Sequence, residues 1–165
     1  MKKKGQLMGM PLVLLFALIV AAMILAYGVK VAIDLVGEAD YVDMLNTIED
    51  IENNIDTFKN YDEGSAKVFD LSLPSDVEYL CFYDSAQDLD CLADGNSCSN
   101  DILDTLDLTL SDSYNVYLYP QGIYDQNRFS IEDFETEDGN PECISNGGQM
   151  VITAHKEFVG ITYYE

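Results

Sequence analysis

The sequence predicts an α+β protein in which one long N-terminal helix packs on a small antiparallel β-sheet. Two observations lead to this prediction. Over residues 12 to 60, which contain no proline, apolar residues first run together and then recur every three or four positions. Beyond residue 61 the apolar residues alternate over short segments separated by Pro, Gly, Asn and Asp, which is typical of strands joined by tight turns.

The first half of the predicted helix is long and apolar enough to cross a membrane. Residues 12 to 29 carry no charge, and at 1.5 Å per residue they span about 27 Å, which the apolar residues up to 33 extend past the roughly 30 Å hydrocarbon core. Lys30 lies near the far end, where its side chain can extend to the headgroups. Because lysines occupy positions 2 to 4, the positive-inside bias predicts a cytoplasmic N-terminus, an extracytoplasmic body and membrane lipid as a partner.

Two possible cleavage sites compete with a simple uncleaved anchor. Ala26-Tyr27-Gly28 places small residues where a signal peptidase cuts, and cleavage there would release the body. The second site lies in Lys2-Lys3-Lys4-Gly5-Gln6, a short basic leader that ends in glycine and precedes glutamine and the apolar run.

This leader and the plan of a membrane helix before a small sheet resemble archaeal type IV pilin-like proteins with a class III signal peptide. The resemblance covers about the first thirty residues. It implies that a prepilin-type peptidase cuts between Gly5 and Gln6 on the cytoplasmic side and leaves the helix attached. The sequence departs from the family at Met8, where such pilins often carry serine, and at Met10, where they often carry glutamate. In the family that glutamate pairs with a neighbour's new N-terminal amine, a contact that Met10 cannot make.

The helix is predicted to continue beyond the membrane as an amphipathic segment over residues 34 to 60. We expect its apolar stripe to pack on the chain's own sheet, with an intermolecular coiled coil as the alternative. The mean spacing from Val42 to Phe58 is about 3.2 residues, shorter than the 3.5 of a coiled-coil seam. The residues predicted to carry helix packing and assembly are Leu12, Leu15, Ile19, Met23, Val42, Leu45, Ile48, Ile51, Ile55 and Phe58.

The predicted domain plan has four parts: a leader over residues 1 to 5, a transmembrane helix over 6 to 33, its amphipathic extension over 34 to 60, and an extracytoplasmic β-rich domain over 61 to 165. Strands are predicted at residues 67 to 73, 77 to 83, 114 to 119, 148 to 155 and 158 to 164. The first two are expected to pair across a Pro-Ser-Asp turn. Residues 101 to 110 fit a short helix or a strand.

All four cysteines lie in the part predicted to be extracytoplasmic, and an even number there predicts two disulfides. We favour Cys91 with Cys98, which would close a loop rich in Asp, Gly, Asn and Ser, and Cys81 with Cys143. Zinc binding is the alternative, but the spacing contains no C-x2-C pair, and no metal site is expected.

The body is strongly acidic. After residue 30 the chain has four basic residues against all 30 acidic ones, a net charge of −26. Such a body repels nucleic acid, which is therefore not expected as a partner. The same charge can also reflect a salty environment, in which case it indicates no specific partner. Residues 90 to 101 faintly resemble a calcium loop, but Leu92 occupies a ligand position and nineteen aspartates make a chance match the better explanation. A second acidic cluster, residues 132 to 138, is predicted to be a solvated loop.

Nothing in the sequence indicates catalysis or a cofactor. His155 is the single histidine, and no nucleophile-elbow, zinc-protease or phosphate-binding motif occurs. We therefore expect no enzyme, and a pilin-like structural subunit of a surface filament or related secretion apparatus, partnered by itself or other pilin-like subunits. The alternative is a monomeric membrane-anchored surface domain that binds a partner or cations through an acidic face rich in the chain's eleven tyrosines.

Overall fold

The computed structural model describes residues 9 to 89, 91, 98 to 107 and 113 to 164. The chain divides into two compact units, Met1–Asp40 and Tyr41–Glu165. Two helices and eight strands follow one another in the described residues: α1 (Gly9–Phe58), β1 (Ala66–Asp70), β2 (Tyr79–Phe82), α2 (Asn100–Asp107), β3 (Val116–Tyr119), β4 (Arg128–Phe129), β5 (Phe134–Thr136), β6 (Glu142–Ser145), β7 (Gln149–Ala154) and β8 (Val159–Tyr163). The predicted α+β class is confirmed.

Helix α1 is one continuous helix of 50 residues. It ends in a turn with hydrogen bonds between residues three apart, which is tighter than an α-helical turn. The N–H of Tyr61 donates to the carbonyl of Phe58 at 3.0 Å, and the N–H of Asn60 donates to that of Thr57 at 3.2 Å. Gly64 follows with a φ of 87°, a left-handed conformation that glycine adopts without steric cost. The chain thereby turns back from the helix into β1.

The strands form two sheets where the sequence predicted one. The first sheet has the order β1-β7-β8-β5 and the second β4-β3-β2-β6. All pairs are antiparallel except β5 with β8, which run parallel. The prediction of one antiparallel sheet is therefore wrong in two respects: there are two sheets, and one of them contains a parallel pair.

The predicted hairpin between the first two strands is also wrong, because β1 pairs with β7 while β2 pairs with β3 and β6. The turn is present: the N–H of Val77 donates to the carbonyl of Pro74 at 3.0 Å. The side-chain amide of Asn146 donates to the carbonyls of Leu73, Pro74 and Val77 at 3.0 to 3.1 Å, which ties this turn to the loop after β6. The turn therefore carries the chain from one sheet to the other instead of folding it back.

Three strands were not predicted. Strands β4, β5 and β6 are only two to four residues long, and their sequences, RF, FET and ECIS, are too short or too polar for an alternating pattern to be recognised. Segment 101 to 110, left open between helix and strand, contributes to helix α2.

Apolar residues of Tyr41–Glu165 form two clusters. The larger joins the C-terminal part of α1 to both sheets through Met44, Ile48, Ile51, Ile55, Phe58, Leu80, Phe82, Val116, Leu118, Ile144, Met150, Ile152 and Ile161, among others. In the smaller, Ile102 and Leu106 of α2 pack on Tyr117 and on the pair Cys81 and Cys143. Helix α2 thus covers one face of the second sheet, while α1 contributes to the main core.

Candidate membrane and assembly helix

In the unit Met1–Asp40, α1 presents apolar side chains on all sides. Every residue from 11 to 39 is exposed within the chain. The four predicted packing residues in this part are Leu12, Leu15, Ile19 and Met23, with exposed fractions of 72, 60, 50 and 68%. A helix that is apolar all round belongs in lipid or among other helices, because water would leave its whole surface unfavourably hydrated.

The exposed apolar surface also passes beyond the charge at Lys30. Val31, Ile33, Leu35 and Val36 remain exposed on the far side of this lysine. The first carboxylates of the chain, Asp34 and Glu38, fall among and after them. Apolar and acidic side chains therefore share the turns between residues 31 and 38, the composition of a helix that leaves the hydrocarbon and enters the interface.

Among the described residues, one helix is long and apolar enough to cross a membrane, and the span found by length and composition is Pro11–Phe58. In the most apolar stretch of this helix, no residue is buried inside the protein, whereas the core helix of a soluble domain is mostly buried. A signal sequence near the N-terminus has the same properties. This helix is therefore a membrane anchor or a signal.

The C-terminal part of α1 has the opposite surroundings. Ile48, Ile51, Ile55 and Phe58 are at most 5% exposed and belong to the main core, while Leu45 is partly buried against it. These five predicted residues therefore contact the chain's own sheets.

Val42 is the exception, and its predicted place in the stripe is wrong. It is 51% exposed, whereas Met44 is fully buried. Val42 lies six residues before Ile48, roughly 120° around a helix of 3.6 residues per turn, so it points away from the core. Met44 lies four residues before Ile48 on the buried side. Met44 and Tyr41 were not among the predicted residues, although their spacings of four and seven from Ile48 place both near the buried side of the helix.

Tyr41 is partly buried and packs against the main core at the start of the second half of α1. Its ring packs against Tyr124 with 5.4 Å between ring centroids, and its hydroxyl donates to the side-chain oxygen of Gln126 at 3.5 Å. Two tyrosines from distant segments therefore contact each other within the unit Tyr41–Glu165. They account for part of the tyrosine content without an external partner.

Two disulfides are present, Cys81 with Cys143 and Cys91 with Cys98, the pairing favoured above. Cys81 and Cys143 face each other across β2 and β6 and are fully buried. Cys91 and Cys98 flank residues 92 to 97, which lie outside the described part of the chain, as does most of the segment resembling a calcium loop. Two disulfides are typical of an extracytoplasmic domain. The processing residues Gly5 and Gln6 lie outside the described residues as well.

One buried carboxyl was not anticipated. Glu142 on β6 is fully buried, and neither of its carboxylate oxygens has a hydrogen-bond partner. Burial, and secondarily the negative charge of Asp138, raise its pKa to about 7. The nearby backbone N–H of Tyr163 acts in the opposite direction and favours a lower pKa. Sequence alone could not single out one glutamate among thirty acidic residues.

The remaining candidates are local contacts at the surface. The Nε2 of His155 contacts the carboxylate of Glu137, and its ring stacks on Phe158 with 4.6 Å between ring centroids. The prediction of a solvated loop over residues 132 to 138 is wrong, because this segment contains β5 with buried Phe134 and Thr136. Its exposed Asp133 pairs with Lys59, and this hydrogen bond raises the pKa of the lysine. Within the described ranges, no group of three or more His, Cys, Asp or Glu side chains is arranged to hold a metal ion.

No protein-family model, curated protein or solved structure significantly matches this chain. What can be stated rests on the architecture: a long apolar N-terminal helix whose C-terminal part packs on β-sheets, which is consistent with a pilin-like fold.

Proposed function

We propose that this chain is a pilin-like structural subunit of a surface filament or related secretion apparatus. A prepilin-type peptidase removes residues 1 to 5, and the subunits associate through the exposed apolar part of α1. Other copies or other pilin-like subunits are the partners, and catalysis is not part of the function.

The observation that supports this proposal best is the division of a single helix. The apolar side chains of residues 12 to 36 are exposed within the chain, whereas Ile48, Ile51, Ile55 and Phe58 are used by the core. An anchor that served only to hold a domain at a membrane could end at the interface. A helix whose C-terminal part is buried in the folded body keeps its apolar first half free for contacts with other helices, as assembly through that half requires.

The assembly contacts lie in the first half of α1. Leu12, Leu15, Ile19 and Met23 recur at spacings of three and four and stay exposed, so they can pack against equivalent helices first in lipid and then in a filament. Ile48, Ile51, Ile55 and Phe58 are buried in the body and unavailable for this purpose. We therefore assign assembly to the first half of α1 alone.

The experiment is intact-mass measurement of the full chain co-expressed with a prepilin-type peptidase. We expect the mature chain to begin at Gln6. The control variant Gly5→Val, which places a branched side chain at the cleavage position, is expected to keep its first five residues. If the wild-type protein retains residues 1 to 5 as well, or begins just after Gly28, the pilin-like assignment is wrong.

The alternative, a monomeric anchored surface domain, is favoured by one specific observation. Residues 9 to 33 of α1 contain no carboxylate, so nothing within them can pair with a neighbour's N-terminal amine. Electron microscopy of cell surfaces distinguishes the two proposals. Filaments that disappear with Gly5→Val support the subunit, and a processed protein that stays dispersed supports the monomer.

A further inference from the structure

Strand β1 forms one edge of the first sheet. It pairs with β7 over five residues, from Ala66 with Thr153 to Asp70 with Gln149. In the part of the chain that the structure describes, no strand pairs with its other edge. Ala66, Val68 and Asp70 are exposed, and Val68 is 43% exposed despite its apolar side chain.

The hydrogen bonds to β7 show which backbone groups of β1 are used. The carbonyl of Ser65 accepts from the N–H of Ala154 at 2.8 Å, and the N–H of Leu71 donates to the carbonyl of Gly148 at 2.9 Å. Because alternate residues of an antiparallel strand bond to the same neighbour, Lys67 and Phe69 also face β7. Ala66, Val68 and Asp70 therefore direct their N–H and C=O groups away from the sheet, at the spacing of an extended strand.

The other three sheet edges are protected. β4 has two residues, and the carbonyl of Thr136 at the end of β5 accepts a hydrogen bond from the side chain of Gln87 at 2.9 Å. Glu142, Cys143 and Ile144 of β6 are fully buried. β1 is thus the longest exposed edge among the described strands, and it contains no proline that would block pairing.

The charges beside this edge are mostly negative. Two contacts place one flank of α1 along β1 and the residues just after it. The amine of Lys67 donates to the side chain of Asn54 at 2.6 Å, and the hydroxyl of Thr47 donates to the carbonyl of Ser72 at 3.1 Å. Asp43 and Asp50 stand three or four residues from these contacts on the same flank and are exposed. Lys67, the one cation of the strand, is already engaged.

We propose that β1 binds an extended, lysine- or arginine-bearing segment of another protein by adding it as a further strand beside Ala66, Val68 and Asp70. Backbone hydrogen bonds to these three residues require an extended occupant. Side chains on the inner face of the added strand meet the acidic flank of α1, and those on the outer face meet Val68. The segment therefore alternates basic with small or β-branched residues.

A second copy of this chain fits the edge less well. Its β1 carries the same acidic surroundings, and bodies with a net charge of −26, from four basic and 30 acidic residues, repel one another. Antiparallel pairing of two identical edges also produces a closed two-fold dimer. Such a dimer adds nothing to a filament.

The test uses the full chain in a zwitterionic detergent and a fluorescent peptide of sequence Lys-Thr-Lys-Val-Lys-Thr-Lys. Fluorescence anisotropy is expected to show saturable binding, at least tenfold weaker for the same peptide with glutamate in place of lysine. The variant Val68→Pro removes an outward N–H and is expected to weaken binding tenfold or more, whereas Val68→Thr keeps the N–H and retains binding.

A second arm leaves the protein unchanged, so it does not depend on the folding of Val68→Pro. The same lysine peptide carrying N-methyl groups at alternate residues keeps its charge but loses donors along one edge, and it should bind at least tenfold more weakly. Equal binding of the methylated peptide would show diffuse charge attraction and overturn the proposal. Absence of binding up to millimolar peptide would also overturn the proposal. So would self-association of the wild-type chain that is lost in Val68→Pro, because a second copy would then occupy the edge.

Discussion

The two halves of α1 belong to one continuous helix but have opposite surroundings. Residues 12 to 36 expose apolar side chains on every side, whereas residues 44 to 58 bury one seam and expose acids on the rest. Helix propensity therefore explains the length of α1 but not what either half does. The surroundings depend on where charges interrupt the apolar residues: after position 30 in the first half, and at every turn in the second.

The buried seam also shows a limit of spacing arguments. Met44, Ile48, Ile51, Ile55 and Phe58 alternate steps of four and three, a mean of 3.5 residues, which is the spacing of a coiled coil. This seam nevertheless packs on the chain's own β-sheets. The period identifies a buried face, and the identity of the covering partner comes from the rest of the fold.

The largest expected difference between the halves concerns the membrane. Replacing Leu14 and Leu18 together by arginine places two charges four residues apart in the apolar run. At about 2.5 to 3.5 kcal/mol for each arginine, insertion should lose about 5 to 7 kcal/mol. The fraction of protein that stays with membranes after alkaline extraction should fall sharply.

Its matched control is the pair Val42→Arg and Asn46→Arg, at exposed positions with the same spacing in the second half. These substitutions should leave membrane association unchanged. Equal loss in both variants would mean that the division of α1 is placed incorrectly.

The second prediction concerns folding. Ile51 is fully buried while Ile24 is 67% exposed, so Ile51→Ala should lower the free energy of unfolding by about 2 to 5 kcal/mol and Ile24→Ala by less than about 0.5 kcal/mol. Chemical denaturation followed by the near-ultraviolet circular dichroism of the tyrosines measures both. Similar losses for the two variants would contradict the assignment of the core to the second half.

The third prediction is a pH dependence of the body. Because burial raises the pKa of Glu142 from 4.5 to about 7, the folded state holds this proton more tightly than the unfolded state does. Stability should therefore fall as pH rises from about 4.5 to 7, by about 3 kcal/mol at 1.36 kcal/mol per pKa unit, and stay constant above.

Glu142→Gln cannot ionise, so denaturation midpoints of this variant should lose this part of the dependence and exceed those of the wild type most clearly at pH 8. The exposed Glu157→Gln is the control and should follow the wild type. A wild-type slope that survives in Glu142→Gln would assign the proton to another group.

The smallest predicted effect concerns the disulfide between Cys91 and Cys98. The two cysteines are only seven positions apart, so replacing both by serine should cost about 2 kcal/mol by loop-closure entropy. Thermal unfolding compares this variant with Ile51→Ala. If the disulfide proves the more important of the two, the helix seam is not the main support of the body.

Sequence alone was sufficient for the features that depend on long patterns. The apolar run, the continuous helix and four of the buried seam residues were readable from spacing over tens of residues, and five segments later found in β1, β2, β3, β7 and β8 were located by alternation. The pairing of those strands was not predictable. β1 pairs with β7, 79 to 87 residues further along the chain, and β2 pairs with β3 and β6, 34 to 40 and 60 to 66 residues further along.

The features that escaped prediction depend on single contacts. Asn146 donates to three backbone carbonyls in the turn between β1 and β2, and nothing distinguishes it from other loop asparagines before the fold is known. The burial of Glu142 depends on its position on β6, a strand of four residues next to Pro141. The exposed edge at β1 likewise becomes visible only once the sheet order is known.

The central claim, that one helix has a lipid-facing half and a core half, is tested most directly by spin labels at three positions of α1. The described cysteines are all in disulfides, so single cysteines introduced at Leu18, Val42 and Met44 can be labelled in the full chain reconstituted in lipid bilayers. We predict that the label at 18 collides with dissolved oxygen, the label at 42 with a water-soluble nickel chelate, and the label at 44 with neither. A label at 18 as accessible to the nickel chelate as the label at 42 would contradict the account.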